Sequence, residues 1–216
     1  MPPMPLQNRV DPFGAIHAVA ARGLFTGNRG VIHDPDTRTL LRRRWATKAW
    51  IICECDFRGQ RREVMGRNAP GGRPGWTELF FLDEVTALAA GHRPCFYCRR
   101  DSALAFASCL AGGEGPRTPA PQMDARLHAE RRASGGAVLP LEPAQLADLP
   151  DGTMVEQNGL AYALRGGRLL PWDFSGYGPP RKISDMSTAV FTLITPPSTV
   201  ARLARGYRPV WHPSAY

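Results

Sequence analysis

Short runs of apolar and β-branched residues, separated by glycine and proline, dominate the sequence. Such runs are typical of β-strands when turn residues bound them on both sides. In the first half they predict strands at residues 49–57 and 76–82, and a return strand at 61–66 that would close a hairpin. In the second half the predicted strands lie at 154–156, 161–165, 168–172 and 189–194.

Helical signals are fewer and shorter. Asp83 precedes residues 84–90 and Gly91 follows them, which predicts a helix with an acidic N-terminal cap and a glycine stop. The other predicted helices span residues 102–110 (capped by Asp101), 123–133 and 196–204. Strands and helices in this mixture predict an α+β fold.

The predicted elements fall into two parts. Residues 112–121 contain three glycines and three prolines, which is typical of a linker. We therefore expect a module of β-hairpin and short helices at 1–111, and a helix followed by a small barrel- or sandwich-like β unit at 122–216. The sequence contains neither the long apolar run of a membrane span nor the pattern of a signal peptide, so we expect a cytoplasmic protein without a membrane partner.

The charge balance points to an anionic partner. The chain has 27 Lys and Arg against 19 Asp and Glu, a net charge of +8, which favours contact with nucleic acid. Arg42, Arg43 and Arg44 precede Trp45, and Lys48 follows, so this segment mixes phosphate-binding cations with a ring that can stack on a base. The expected surface is extended by the arginines around the cysteine pair, namely Arg93, Arg99 and Arg100. The alternative is that these arginines are only solvated.

The cysteines indicate a metal site. Their number, five, is odd, which argues against a disulfide framework. Cys95 and Cys98 are separated by two residues and lie between two predicted helices, a spacing that lets two thiolates bind one zinc ion. A redox pair at a helix N-terminus, or two small core side chains, would have the same spacing.

The run from Trp76 to Cys98 comprises an aromatic strand, a short helix and then Ala-Gly-His-Arg-Pro-Cys-Phe-Tyr-Cys. It resembles the second half of an Ada-type metal-binding domain, and residues 26–37 resemble the first half. The resemblance covers about residues 25–100. It implies an Ada-like scaffold with a zinc cofactor, DNA as the partner, and a role in DNA repair or processing.

The resemblance also implies a ligand set. The first ligand position of the family falls on His33, which can bind zinc, and the second falls on Thr37, which cannot. The expected zinc ligands are therefore His33, Cys95 and Cys98. A fourth ligand could come from Cys53 or Cys55, on the predicted strand at 49–57.

This ligand set bears on the expected chemistry. In the branch of the family that repairs methylphosphotriesters, the first ligand is the cysteine that accepts the methyl group. His33 stands at that position and cannot replace a thiolate in this transfer. We therefore expect a nucleic-acid-binding protein without methyl-acceptor chemistry.

The predicted helix at 123–133 offers a different chemistry. Asp124 and His128 are four residues apart and share a helix face, with Glu130 close by. A carboxylate that orients a histidine is common in general bases, so an alternative is a hydrolase or nuclease with catalytic Asp124, His128 and Glu130. The same charges are typical of an exposed helix face. A third alternative is a protein-interaction module whose positive charge is incidental.

Overall fold

A computed structural model describes residues 4–59, 62–109, 117–186 and 190–216 of the chain. Within these ranges, helices and strands both contribute substantially, and the strands form several sheets. The predicted α+β fold class is therefore confirmed. No helix in the described ranges has the length and apolar character that crossing a bilayer requires.

The first half is built on a six-stranded sheet. In chain order, its strands and those of an adjoining hairpin are β1 (Arg9–Val10), β2 (Ile16–His17), β3 (Phe25–Asn28), β4 (His33–Asp34), β5 (Thr39–Leu40), β6 (Ile51–Glu54), β7 (Leu79–Phe81) and β8 (Arg93–Pro94). The sheet has the order β2-β1-β7-β3-β6-β8, and β4 and β5 pair only with each other. β3 is antiparallel to both β6 and β7, whereas β8 is parallel to β6.

The prediction of a return strand after β6 is wrong. Residues 60 and 61 lie outside the described part of the chain, and residues 62–66 contain turns but no strand. β6 pairs with β3 on one side and β8 on the other, so neither edge of β6 is available to a returning strand. Instead, the backbone N–H of Met65 in this segment donates a hydrogen bond of 2.8 Å to the carboxylate of Glu78.

The four α-helices are α1 (Glu84–Ala89), α2 (Arg100–Ser108), α3 (Ala120–Glu130) and α4 (Pro197–Ala204). Asp83 caps α1 as predicted, because its Oδ1 accepts a hydrogen bond from the backbone N of Thr86 at 2.8 Å. The predicted cap of α2 is wrong, since Arg99 occupies the N-cap and Asp101 lies in the first turn. The helix begins at Arg100, two residues before the predicted start at 102, because the turn around the cysteine pair leads directly into it.

The second half forms a seven-stranded antiparallel sheet. Its strands are β9 (Leu139–Leu141), β10 (Met154–Gln157), β11 (Leu160–Arg165), β12 (Arg168–Asp173), β13 (Gly176–Tyr177), β14 (Arg181–Lys182) and β15 (Phe191–Leu193). The main path is β13-β12-β11-β10-β15-β9, and β14 pairs with β12.

The two halves of the chain share hydrophobic cores. One core combines residues of the first sheet, α1 and α2 with Leu203 and Tyr207 from the end of the chain. A second core packs Leu82 and Val85 against the second sheet, including Met154. Of the predicted linker, residues 112–116 lie outside the described ranges and residues 120–121 already belong to α3.

Candidate metal centre

Three cysteine side chains converge beside the first sheet. The Sγ atoms of Cys53, Cys95 and Cys98 all lie within 4.8 Å of one another. A tetrahedral zinc ion with bonds of about 2.3 Å would hold sulfurs about 3.8 Å apart, so small adjustments suffice to place all three on one ion. Across the described ranges, no other group of three or more Cys, His, Asp and Glu side chains is as close together.

The parallel pairing of β6 and β8 creates this cluster. Ile52 of β6 is paired with Pro94 of β8, and the backbone N of Cys95 donates to the O of Ile52 at 2.9 Å. The neighbour of Ile52 in the strand, Cys53, is thereby held beside Cys95. After Cys95 the chain turns into α2, and this turn places the sulfur of Cys98 beside those of Cys53 and Cys95.

Backbone amides point at the sulfurs. The N–H of Tyr97 donates to Cys95 Sγ at 3.4 Å, and the N–H of Cys98 also donates to that sulfur. The N–H of Glu54 donates to the sulfur of Cys98. Such bonds favour the ionised form of a thiol and commonly surround metal-bound thiolates.

Without a cation, the cluster favours one thiolate, Cys95, which accepts hydrogen bonds from the thiols of Cys53 and Cys98. Hydrogen bonds from Cys53 and Cys98 lower the pKa of Cys95 well below its ordinary value. The hydrogen bonds to Cys95 and Cys98, together with burial, raise the pKa of Cys53. The hydrogen bond with Cys53 lowers the pKa of Cys98. The contact with Cys95 and burial raise this pKa by more, so the net shift is upward. Three thiolates at this spacing therefore require a positive ion to balance them.

The cluster opens onto a cavity of about 460 Å³. All three cysteines border it, so a small ligand can reach an ion held by them. Cys55 lines the same cavity but does not belong to the cluster, and its Sγ contacts the backbone O of Leu24 at 3.5 Å. The remaining lining residues are Thr26, Asn28, Ile51, Glu54, Phe57, Arg62, Val64, Trp76, Glu78, Phe80 and Tyr97.

The structure does not bring His33 to the cysteines. Its ring is buried, with Nδ1 2.7 Å from the hydroxyl of Thr77 and Nε2 3.4 Å from the backbone O of Gly66. Thr37 lies in the exposed turn between β4 and β5. The third side chain near Cys95 and Cys98 is therefore Cys53 and not His33.

Part of the predicted nucleic-acid surface is exposed as expected. Arg42, Arg43, Arg44 and Lys48 all lie on an exposed segment between β5 and β6. Two of their guanidinium groups contact nearby backbone oxygens, Arg43 that of Val31 and Arg44 that of Leu41. Arg100, in the first turn of α2, is exposed as well.

Arg93 and Arg99 do not join this surface, because both are buried in ion pairs. Arg93 binds both oxygens of Asp124, at 2.7 and 2.9 Å. Arg99 binds both oxygens of Glu84, at 2.9 and 3.0 Å, and its Nε lies 2.9 Å from Glu54. Their guanidinium groups hold the fold together around the cysteine pair rather than facing a phosphate.

The three residues of the alternative catalytic group are engaged separately. Asp124 is the partner of Arg93. The ring of His128 packs edge-on against Trp45, with centroids 6.0 Å apart, and burial lowers its pKa. Glu130 accepts hydrogen bonds from Arg126 and from the backbone N of Ser198. The bonds of these residues do not form the carboxylate-to-imidazole arrangement that the hydrolase interpretation requires.

Comparisons with known proteins found no matching family, curated protein or solved structure. The site is therefore interpreted from its own geometry. Cys53 is the member of the cluster that spacing alone could not assign, although its alternation with Ile51 in the predicted strand places these two side chains on one strand face.

Proposed function

We propose that this protein binds one zinc ion through Cys53, Cys95 and Cys98. The observation that carries the proposal is the approach of the three sulfurs to within 4.8 Å of one another. Soft thiolate ligands in a small cluster favour zinc over the hard cations that prefer oxygen. The backbone N–H groups of Tyr97, Cys98 and Glu54 stabilise the thiolates from outside.

The position of the cluster at a cavity suggests the role of the ion. A structural zinc site closes all four coordination positions with protein ligands, whereas three protein ligands leave one position for water or a substrate. When bound, zinc acts as a Lewis acid on such a ligand. In this proposal the cysteines hold the ion, and the cavity walls select what reaches it.

Zinc content provides the first test. We expect about one equivalent of zinc in the purified protein, and a loss of at least about 100-fold in zinc affinity in Cys53→Ser, because loss of even an outer partner of a ligand costs about 10- to 100-fold. The measurement is a competition titration against a zinc-binding dye. Cys55→Ser is the matched control, since Cys55 lines the same cavity outside the cluster.

Two results would contradict the metal centre. One is a wild-type protein with less than about a tenth of an equivalent of zinc after purification without chelator. The other is an equal zinc affinity of the Cys53→Ser and Cys55→Ser proteins.

We further propose that the partner of the protein is nucleic acid, with DNA as the expected form. The exposed segment that carries Arg42, Arg43, Arg44 and Lys48 also exposes 37% of Trp45, so cations and a ring are presented together. Such surfaces bind the phosphates through arginine and stack bases on the ring. The net charge of +8 and the resemblance to Ada-type domains support the same partner and a role in DNA processing.

Neutralising this segment tests the second proposal. In the triple variant R42A/R43A/R44A we expect weaker DNA binding at low salt and a salt dependence that is shallower by about 2–3 in log–log slope, because each lost phosphate contact removes about 0.9. Fluorescence anisotropy at several salt concentrations measures both. The control R168A/R181A/K182A removes the same charge from exposed residues of the second sheet. Equal losses in the two variants would refute this surface.

A further inference from the structure

The cavity beside the metal centre has one face of the first sheet as its floor. Thr26 of β3 is paired with Cys53 on one side and with Phe80 on the other, and all three line the cavity. Two residues further along the strands, Asn28 is paired with Ile51, and both line the cavity as well. Glu78, which immediately precedes β7, completes the second row.

Glu78 and the cysteines therefore lie at opposite ends of the floor. They are separated by two strand spacings of about 4.8 Å and by two residues of about 3.4 Å along the strand, which gives roughly 12 Å between the Cα atoms of Glu78 and Cys53. A ligand in the cavity of about 460 Å³ can therefore lie between these two ends of the floor.

The carboxylate of Glu78 is held rigidly at its end of the cavity. Its side chain is 4% exposed, and it accepts hydrogen bonds from Arg62 Nε and from the backbone N of Met65, each at 2.8 Å. Oε1 also accepts a longer hydrogen bond from Asn68 Nδ2, at 3.4 Å. A carboxylate has about four acceptor positions, so one position remains for an N–H donor of a ligand, and it lies on Oε2. The cavity thus ends in an acceptor group whose geometry is set in advance.

The walls combine aromatic rings with arginine. Arg62 lies over the ring of Trp76 at 4.2 Å from its centroid. Arg58 lies 5.1 Å from the ring centroid of Phe57 and 5.7 Å from that of Tyr97, and these two rings meet edge to face. Rings beside guanidinium groups favour planar ligands that carry negative charge.

We propose that this cavity binds the base of a nucleotide, with its donor edge at Glu78 and its opposite edge toward the metal ion. The volume of about 460 Å³ lies in the range of small-ligand pockets. Guanine carries N–H donors on one edge, and its 2-amino group can donate to the acceptor position that remains on Glu78 Oε2. Arg58, which lies beside the rings of Phe57 and Tyr97, is placed to attract the phosphate. This inference rests on the proposed metal centre, which forms one end of the site.

Tyr97 provides the sharpest variant. Tyr97 is located between the proposed ligands Cys95 and Cys98 in the sequence, and its side chain lines the cavity. Because this side chain is 64% exposed, its removal leaves the core unchanged. Stacking of one base on an aromatic ring contributes about 1–3 kcal/mol. We therefore expect Tyr97→Ala to weaken binding of guanosine 5′-monophosphate by about tenfold, in a calorimetric titration of the zinc-loaded protein. The matched control is Tyr216→Ala, at an 86% exposed tyrosine outside this cavity.

The ligand edge is tested with a second nucleotide. Inosine 5′-monophosphate lacks the 2-amino group, and we expect it to bind about tenfold more weakly than guanosine 5′-monophosphate, because one acceptor at Glu78 is left unpaired. In Glu78→Gln this preference should fall to within about twofold. A single-stranded oligo-dG, titrated in parallel, distinguishes a free nucleotide from a base of a nucleic-acid strand: tighter binding of the oligonucleotide, again weakened by Tyr97→Ala, supports the site and assigns it to a strand.

Zinc content measured on the same samples separates the two proposals. Zinc-loaded protein that binds neither the nucleotide nor the oligonucleotide at about 1 mM overturns the base site and leaves the metal centre intact. Equal effects of Tyr97→Ala and Tyr216→Ala also overturn the base site. A protein that holds no zinc overturns both proposals.

Discussion

Replacing Glu84 with alanine is expected to lower the free energy of unfolding by about 3–5 kcal/mol. Glu84 is 1% exposed and accepts two hydrogen bonds from Arg99, one from the hydroxyl of Tyr207 and one from the backbone N of Val210. Without it, the buried guanidinium of Arg99 loses its bidentate partner and keeps the ion pair with Glu54 and a long hydrogen bond to the hydroxyl of Ser102. The substitution therefore loosens the turn around Cys98 and the end of the chain at once.

Urea denaturation at neutral pH measures this loss. The control is Asp101→Ala, which removes an exposed acidic residue from the first turn of α2, where the interaction with the helix dipole contributes about 0.3–1 kcal/mol. If the two variants were destabilised to the same extent, the carboxylate of Glu84 would not carry the role assigned to it. We also expect zinc affinity to fall in Glu84→Ala, because Arg99 directly follows the proposed ligand Cys98.

Replacing Asp124 with alanine is expected to cost a similar 3–5 kcal/mol. The side chains of Arg93 and Asp124 are 7% and 10% exposed and form a bidentate pair that joins β8 to α3. Loss of the carboxylate leaves a buried positive charge without this partner. The control is Arg126→Ala on the same helix, whose side chain is 63% exposed and whose pair with Glu130 contributes about 0.3–0.5 kcal/mol.

A double variant sharpens the test. When Arg93 and Asp124 are both replaced by alanine, no unpaired charge remains, so the total loss should be smaller than the sum of the two single losses. Strictly additive losses would show that the pair is not coupled. A hydrolase centred on Asp124 makes a different prediction, namely loss of activity in Asp124→Asn with unfolding behaviour close to the wild type.

Local signals in the sequence predicted the elements that depend on near neighbours. Asp83 and Gly91 bound α1 because a helix cap and a glycine stop act within one turn. The predictions of β10, β11 and β12 were confirmed as well. These strands pair with their neighbours in the chain through short turns, so their pattern is local. The return strand after β6 was mispredicted because the partners of β6 lie far away in the chain.

The same distinction applies to the candidate site. The spacing of Cys95 and Cys98 identified two sulfurs that can share an ion, because two intervening residues are enough to define a tight turn. Only the tertiary structure placed Cys53 beside them, through the pairing of strands about forty residues apart. It also placed His33 away from them, in contact with Thr77 and Gly66. It also decided that Arg93 and Arg99 are buried, since their partners Asp124 and Glu84 come from other elements. Residue types and local spacing limit what chemistry is available, but long-range packing decides which groups meet.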